Sequence, residues 1–278
     1  LVQGISSQLG RLTGLRGLST ARRVEVTPYF VSKNVQDAGS ATGFDRRQEF
    51  TGGGDLKLGL TPNITLDATV NPDFGQVEAD PSVVNLAAFE SFFSERRPFF
   101  IEGGSFYQFQ LNCYIVVDCG TNEGLFYSRR IGRSPSLRGL YGNATTANAT
   151  PIAAAAKLTG RTAGGFSFGI LDAVTQQVGG AGGQTVEPQT NYAVLKLDQE
   201  LRAGQTVFSV IGTGVNRSLD ALTAPYLHES AYALGLGFRN RFADRNYEVS
   251  GQLALSRVAG SAEVIERTQL SPVHYYQR

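Results

Sequence analysis

The sequence predicts an all-β protein, an antiparallel up-and-down transmembrane β-barrel with about 10 to 12 strands and an incomplete C-terminus. Segments in which apolar and polar residues alternate recur along the chain. Their connections alternate between tight turns and longer loops, with turns near 62, 164, 203 and 244 and loops near 40, 142, 183 and 222. No run approaches the roughly 18 apolar residues of a spanning helix, so a membrane crossing would use strands.

The amino-acid composition limits the possible binding partners more than it limits the fold class. The 278 residues carry a formal net charge of +1, so no bulk electrostatic attraction to nucleic acid is expected. Only 18% of residues are charged, while 10% are aromatic and 33 are glycine. These values are typical of a barrel whose outer face contacts lipid, although a soluble β-sandwich or solenoid has them too.

The chain divides into a short leading segment and one large β domain. Residues 1–22, rich in Gly, Ser, Leu and Arg, are interpreted as a linker or the tail of a preceding domain. The barrel is predicted over 23–278, with a first strand from Val24 and a shift in strand pairing near Pro28. Because the chain lacks an initial Met and ends in a strand-like stretch at 275–278, we expect a longer precursor with an export signal.

The clearest hairpin is predicted over residues 55–70, around the turn Thr61-Pro62-Asn63. Its apolar residues alternate with polar or small ones: Leu56, Leu58, Leu60, Ile64, Leu66, Ala68 and Val70 against Asp55, Lys57, Gly59, Thr65, Asp67 and Thr69. Each strand therefore has an apolar face and a face that carries charge. The apolar face would be the core side in a soluble sandwich and the lipid side in a barrel, and both interpretations stay open.

An insert of different composition is predicted at residues 71–105. It combines many charges with six phenylalanines and lacks strict alternation, which indicates a partly buried polar setting where ion pairs form. We interpret it as an internal or rim insert of the barrel. It contains a short helix that starts at Asp80-Pro81 and cannot pass Pro98. The alternative is a short helix on the core of a soluble domain.

The charged residues of this insert and of the basic segment after it form the predicted lumen cluster. Residues 123–133 are predicted to form a strand that leads into the basic segment. Carboxylates beside arginines are more often salt-bridged than catalytic, so the cluster is either structural or substrate-contacting. Its members are Asp73, Glu78, Asp80, Glu90, Arg96, Arg97, Glu102, Arg129, Arg130 and Arg133.

Two cysteines lie in a short loop-like stretch. Cys113 and Cys119 are predicted to form a disulfide that closes an external loop in an oxidising compartment, and the alternative is two unpaired thiols. A metal site is not expected there, because no histidine or further cysteine lies nearby to complete a ligand set.

From Ile152 onward the alternation is regular. Strands are predicted around 152–159, 166–170, 193–198, 208–210, 232–239 and 247–255. Aromatic residues near strand ends fit an interfacial girdle of a barrel: Tyr192, Phe208, Phe242 and Tyr247.

Three strings carry a resemblance to a known family: GGDLKLGLTPNITLDATVNPDFGQVEADPSVVNLAAFESFFSERRPFFIEG, LFYSRRIGR and ERTQLSPVHYYQR. The chain resembles, over residues 22–278, the uncharacterised outer-membrane β-barrel family of DUF5916 type. Members of that family often follow a family-9-like carbohydrate-binding module in Gram-negative bacteria. The resemblance implies such a module and an export signal before Leu1, and more strands after Arg278. It supplies no catalytic residues, and the stretch around the cysteines departs from the usual pattern.

The sequence predicts no enzyme, no cofactor and no metal. His228 and His274 lie in no recognisable metal or triad motif. Glu78 with Asp80, or Glu90 with Glu102, could form a glycosidase-like carboxylate pair, which makes a hydrolase a weaker hypothesis.

The leading hypothesis is an outer-membrane β-barrel for the passage or docking of an exported or imported substrate, with a saccharide as one candidate. The alternative is an anchor or scaffold that holds an upstream carbohydrate-binding module and transports nothing. A soluble β protein is the third. The expected partners are outer-membrane lipid, a polysaccharide and a larger membrane complex, with no nucleic acid.

Overall fold

The structure, a computed structural model, describes residues 23–37, 45–72, 93–109, 111 and 124–271. Within them, nine strands form one antiparallel sheet and two short strands form a second. The strands are β1 (Val24–Asp37), β2 (Asp45–Thr61), β3 (Ile64–Val70), β4 (Ile152–Arg161), β5 (Phe166–Thr175), β6 (Val178–Gly179), β7 (Thr185–Glu187), β8 (Thr190–Leu201), β9 (Thr206–Arg217), β10 (Ser230–Phe242) and β11 (Tyr247–Ala259).

The predicted all-β, antiparallel up-and-down arrangement is confirmed. The order β1-β2-β3-β4-β5-β8-β9-β10-β11 follows the chain, and the pair β6–β7 lies within the connection between β5 and β8. The tight turns occur where the sequence predicts them. In the turn after β8, for example, Arg202, Ala203 and Gly204 all have positive φ. Closure into a barrel is not seen among the described strands, because β1 and β11 each pair on one side only.

One face of the sheet carries apolar rows that cross every strand. The pairing register connects one residue per strand: Val24, Leu58, Leu66, Leu158, Ile170, Leu195, Gly212, Leu234 and Leu255. We call these residues the apolar row. Its side chains are exposed or half-buried, with Ile170 45% and Leu255 54% exposed. No other layer of the described chain therefore seals this face.

The opposite face is covered by the connection between β3 and β4. The described residues 93–109, 111 and 124–151 of this connection, here called the cover segment, contain the one-turn helices α1 (Pro98–Ile101) and α2 (Arg138–Tyr141). Apolar side chains of the cover segment and of the sheet share a core: Phe100, Tyr107, Phe109 and Ile131 with Ile152, Ala155, Leu171, Ala173, Tyr192, Val194 and Ile211. The cover segment thus extends beyond the predicted insert 71–105.

Two local predictions are wrong. Pairing between β1 and β2 continues without a shift past Pro28, and Phe30 points to the same apolar face as Val24. Pro98 also starts the separate helix α1, because proline suits the first position, where its missing N–H is not needed. The strand expected at 123–133 is absent from the described residues 124–133, where Ser128–Arg130 form a 3-10 turn.

A third helix, α3 (Ala262–Gln269), follows the last strand and was not predicted. The Ser261 side chain accepts a hydrogen bond from the Val264 amide and caps the helix, while Val264 is buried. No described helix combines the length and apolar character of a membrane span.

Candidate functional site

Opposite charges alternate along one row of the covered face. Glu25 lies opposite Lys57, Lys57 opposite Asp67, and Asp67 opposite Lys157, so that the row crosses β1 to β4. We call these four residues the charged row. Successive side chains of a strand point to opposite faces, which places each of the four beside a residue of the apolar face. Cross-strand neighbours of opposite charge stabilise one another and fix the register.

Lys157 is the most enclosed member of the charged row, with 1% of its surface exposed. Its ammonium group donates to the carbonyl of Phe99 and, over 2.6 Å, to the carbonyl of Glu102. It also lies 3.5 Å from a carboxylate oxygen of Asp67 and 4.7 Å from the centre of the Phe99 ring. A buried ammonium group needs such partners, and here they fasten the α1 turn to β3 and β4.

Glu102 ties the same turn to β2. Its carboxylate accepts a hydrogen bond from Lys57, and the two form an ion pair that is partly open to solvent. This hydrogen bond is the main cause that lowers the pKa of Glu102, although partial burial acts in the opposite direction. Glu102 is therefore ionised at neutral pH, and it is the one member of the predicted lumen cluster that contacts the charged row among the described residues.

A cavity of about 180 Å³ lies between the charged row and the α1 turn. Strands β1 to β4 supply its charged wall, and Pro98 and Phe99 supply the opposite side. The lining comprises Glu25, Thr27, Asp55, Leu56, Lys57, Asp67, Ala68, Pro98, Phe99, Glu102 and Lys157. Cavities with a few convergent polar groups are common ligand sites.

Arg97 forms the centre of a second polar cluster, inside the cover segment. Its guanidinium donates two hydrogen bonds to the Glu95 carboxylate, of 2.8 and 2.7 Å, and others to the carbonyls of Ile131 and Ser128. It also lies 4.2 Å from the centre of the Phe100 ring. The Ser128 carbonyl also accepts a hydrogen bond from the Ile131 amide, so Arg97 is bound to the 3-10 turn.

Glu95 is held as a carboxylate by this arrangement. Burial raises the pKa of Glu95, but the hydrogen bonds from Arg97 and Ser128 and the charge of Arg97 outweigh it and lower the pKa to about 2. The pair is therefore ionised, buried and fully coordinated, as in a structural ion pair.

The other described members of the predicted cluster lie apart. Arg96 is exposed. Arg129 donates to the carbonyl of Ser94 over 2.7 Å, and Arg133 donates to the Ser136 hydroxyl over 2.7 Å. Arg130 lies in the 3-10 turn beside Arg129. The structure therefore distributes the predicted cluster over several sites rather than gathering it at one.

Several predicted residues lie outside the described part of the chain. They are Asp73, Glu78, Asp80 and Glu90 of the cluster, the helix start at Asp80-Pro81, the cysteines Cys113 and Cys119, and His274. His228 is described, and its Nε2 lies 2.8 Å from the Thr268 hydroxyl of α3.

Sequence reasoning selected none of the four charged-row residues, Glu25, Lys57, Asp67 and Lys157, as site residues. The available signal was the set of alternate positions in β1 to β4 that carry polar residues. Among them, Lys57 and Asp67 are each flanked by apolar residues. Alternation indicates the face, but not which residues on different strands are level with one another, because that depends on the register.

The charged groups of the site are held by one another and by backbone carbonyls. Its two lysines are paired with carboxylates, and no group of three or more His, Cys, Asp or Glu residues in the described ranges could hold a metal ion. The side chains therefore offer a fixed, charged surface at the bottom of a cavity.

Fold and site define a class: an antiparallel β-sheet protein in which the β3–β4 connection covers one face through an apolar core and the buried Lys157. The chain belongs to the family described as Domain of unknown function (DUF5916), whose model matches residues 20–270. The resemblance seen in the sequence is confirmed for the family itself. No curated protein and no solved structure matches the chain.

Proposed function

We propose that this chain forms the wall and the internal cover of an outer-membrane β-barrel, which receives a substrate for docking or passage at its charged interior. The observation that carries the proposal is the polarity of the sheet. Its covered face carries the buried Lys157 together with the apolar core beneath the cover segment, and its leucine-rich face is not covered by any described residue. In a soluble sandwich, a leucine-rich face is expected to pack against a second sheet.

The extent of the apolar face supports a lipid contact. The apolar row crosses all nine strands, and a second row continues it through Phe168, Leu197, Val210, Leu236 and Leu253. Apolar patches larger than a few hundred Å² are rare on monomers in water. Acyl chains would cover these rows and would favour their burial by about 25 cal/mol per Å².

Strand dimensions fit a bilayer as well. Strand β10 has 13 residues, which at about 3.4 Å per residue gives roughly 44 Å. Tilted by about 45°, such a strand spans about 30 Å, the thickness of the hydrocarbon core.

Aromatic rings gather toward the tight-turn end of the sheet. Phe208 and Phe238 lie 5.2 Å apart between ring centres, and Phe242 and Tyr247 lie 5.6 Å apart across the β10–β11 turn. Rings at this level fit an interfacial girdle, and they support the predicted roles of Phe208, Phe242 and Tyr247. Tyr192 is 8% exposed and belongs to the core beneath the cover segment, so its predicted place in a girdle is wrong.

Single tryptophans test the lipid contact, because the chain contains none. Leu255 and Ser256 are neighbours on β11 that point to opposite faces, which gives a matched pair, Leu255→Trp and Ser256→Trp. In vesicles of the full-length protein, lipids brominated on their acyl chains should quench the Leu255→Trp emission strongly and the Ser256→Trp emission weakly. Equal quenching of the two, or none at position 255, would refute the lipid contact.

Anchoring without transport is the second candidate function, and the apolar core beneath the cover segment favours it. Phe100, Tyr107 and Ile131 are each less than 7% exposed, so the cover segment is packed as firmly as a domain core. Under this candidate the barrel holds an upstream carbohydrate-binding module.

Planar-bilayer conductance of the full-length protein distinguishes the two functions. Traces that stay closed after deletion of residues 71–105 would favour the anchor, and channels that open on deletion would favour passage.

A further inference from the structure

We infer that the cavity beside the charged row binds a small organic cation with primary ammonium groups. The inference deepens the proposed function, since it names the class of substrate that the charged interior would receive, and it rests on that function for its biological meaning. Binding itself depends only on the cavity.

Charge balance is the first argument. Four carboxylates line the cavity, from Glu25, Asp55, Asp67 and Glu102, but only two ammonium groups, from Lys57 and Lys157. Lys157 lies next to Asp67, and Lys57 is paired with Glu102. Glu25 and Asp55 are exposed, and Glu25 lies close enough to Lys57 to help raise the pKa of that lysine. The carboxylates that line the cavity still outnumber its ammonium groups, an imbalance that a bound cation would reduce.

Hydrogen-bonding capacity is the second argument. The ammonium group of Lys157 already faces two carbonyls and the Asp67 carboxylate, which accounts for its three donors. The carboxylates of Glu25 and Asp55 can only accept. The groups of the cavity wall that can still form hydrogen bonds are therefore mainly acceptors, and they match a ligand rich in N–H donors.

A buried hydroxyl without a partner adjoins the same wall. Thr69 is 2% exposed, and its Oγ1 has no hydrogen-bond partner among the described residues. It lies directly across from Asp55 in the β2–β3 pairing and follows Ala68, and both of these residues line the cavity. Buried hydroxyls are normally satisfied, so Thr69 offers a further polar group next to the cavity wall, although it is not itself one of the lining residues.

Size limits the ligand. A cavity of about 180 Å³ has room for a small ligand of several non-hydrogen atoms. The Phe99 ring borders the cavity on the side opposite the charged wall and offers an apolar contact for a short methylene chain. 1,4-Diaminobutane has this size, and both its amines are charged at pH 7.

Calorimetric titration of the detergent-solubilised full-length protein tests the inference. 1,4-Diaminobutane should bind, and 1,4-butanediol, which has the same length without charge, should bind at least tenfold more weakly. Asp55→Asn and Glu25→Gln should each weaken diamine binding by about tenfold, the effect of one lost charge-assisted hydrogen bond. Asp244→Asn, a change of the same chemistry in the β10–β11 turn, should leave the affinity unchanged, and asparagine tolerates the positive φ there.

Three results would overturn the inference: no heat of binding with the diamine, equal binding of the diol, or equal affinity of Asp55→Asn and the wild-type protein. Because these measurements are made in detergent and report only on the cavity, they are independent of the tryptophan quenching that tests the lipid contact. Diamine binding with no quenching at position 255 would retain the site and reject the barrel. The converse result would retain the barrel and reject this ligand.

Discussion

Replacement of Arg97 by methionine should destabilise the protein severely. The change removes four hydrogen bonds from the guanidinium and leaves the Glu95 carboxylate buried, with 14% of its side chain exposed. Breaking a buried ion pair by removing one partner costs about 3 to 5 kcal/mol. The pKa of Glu95 gives a consistent magnitude, since a decrease from 4.5 to about 2 corresponds to roughly 3 kcal/mol of interaction with the charged form.

The dependence on pH has a definite sign. Because the pKa of Glu95 is lower in the folded state than in the unfolded one, its contribution is fully present above about pH 4.5 and is lost as the pH falls toward 2. The difference in unfolding free energy between the wild-type protein and Arg97→Met should therefore be large at pH 7 and shrink below pH 4.5.

Urea unfolding in detergent, followed by heat-modifiability on gels, measures these differences. Arg96→Met is the matched control, since the neighbouring Arg96 is exposed and its loss should cost less than about 1 kcal/mol. The double variant Glu95→Leu/Arg97→Met should regain part of the lost stability, because no buried charge is stranded. Equal stability of Arg97→Met and Arg96→Met at pH 7 would refute the reasoning.

Three further predictions concern single sites, each measured by the same unfolding assay. Lys157→Met should cost about 3 to 5 kcal/mol, because it strands a buried carboxylate and two carbonyls; a loss below 1 kcal/mol would contradict the anchoring role. Gly169→Ala should cost about 1 to 3 kcal/mol, since an added Cβ would lie 2.9 Å from the Tyr107 ring, whereas Gly212→Ala on the open face should be tolerated. Ser261→Ala should cost about 1 kcal/mol through loss of the α3 cap, which the far-UV circular dichroism of the folded protein would also register.

The strands could be predicted because their signals are local. In β2, leucines alternate with Asp55, Lys57 and Gly59, and Pro62-Asn63 mark the turn, so strand, face and connection follow from a dozen residues. The same holds for the turn after β8, where Gly204 supplies a positive φ. Alternation and turn chemistry act over a few residues, and a single sequence contains all of that information.

Contacts between the cover segment and the sheet could not be predicted, because they join residues far apart in the chain. Lys157 binds the carbonyls of Phe99 and Glu102, more than fifty residues earlier. Arg96 and Arg97 are equivalent in the sequence, yet only Arg97 is buried, since the path of the cover segment decides which side chain points inward. Such choices depend on tertiary packing, which local pattern does not determine.

Two neighbouring residues of β4 bear on the two interpretations that the sequence leaves open. A soluble sandwich would direct Leu158 into its core and Lys157 into water. In the structure Lys157 is 1% exposed beneath α1, and Leu158 belongs to the apolar row on the face that no described residue covers. Such a row needs a covering, since water would otherwise contact leucines on strand after strand. Under the proposed function, a bilayer would supply that covering without further protein. Unquenched emission at position 255 would instead require a protein partner on the same face.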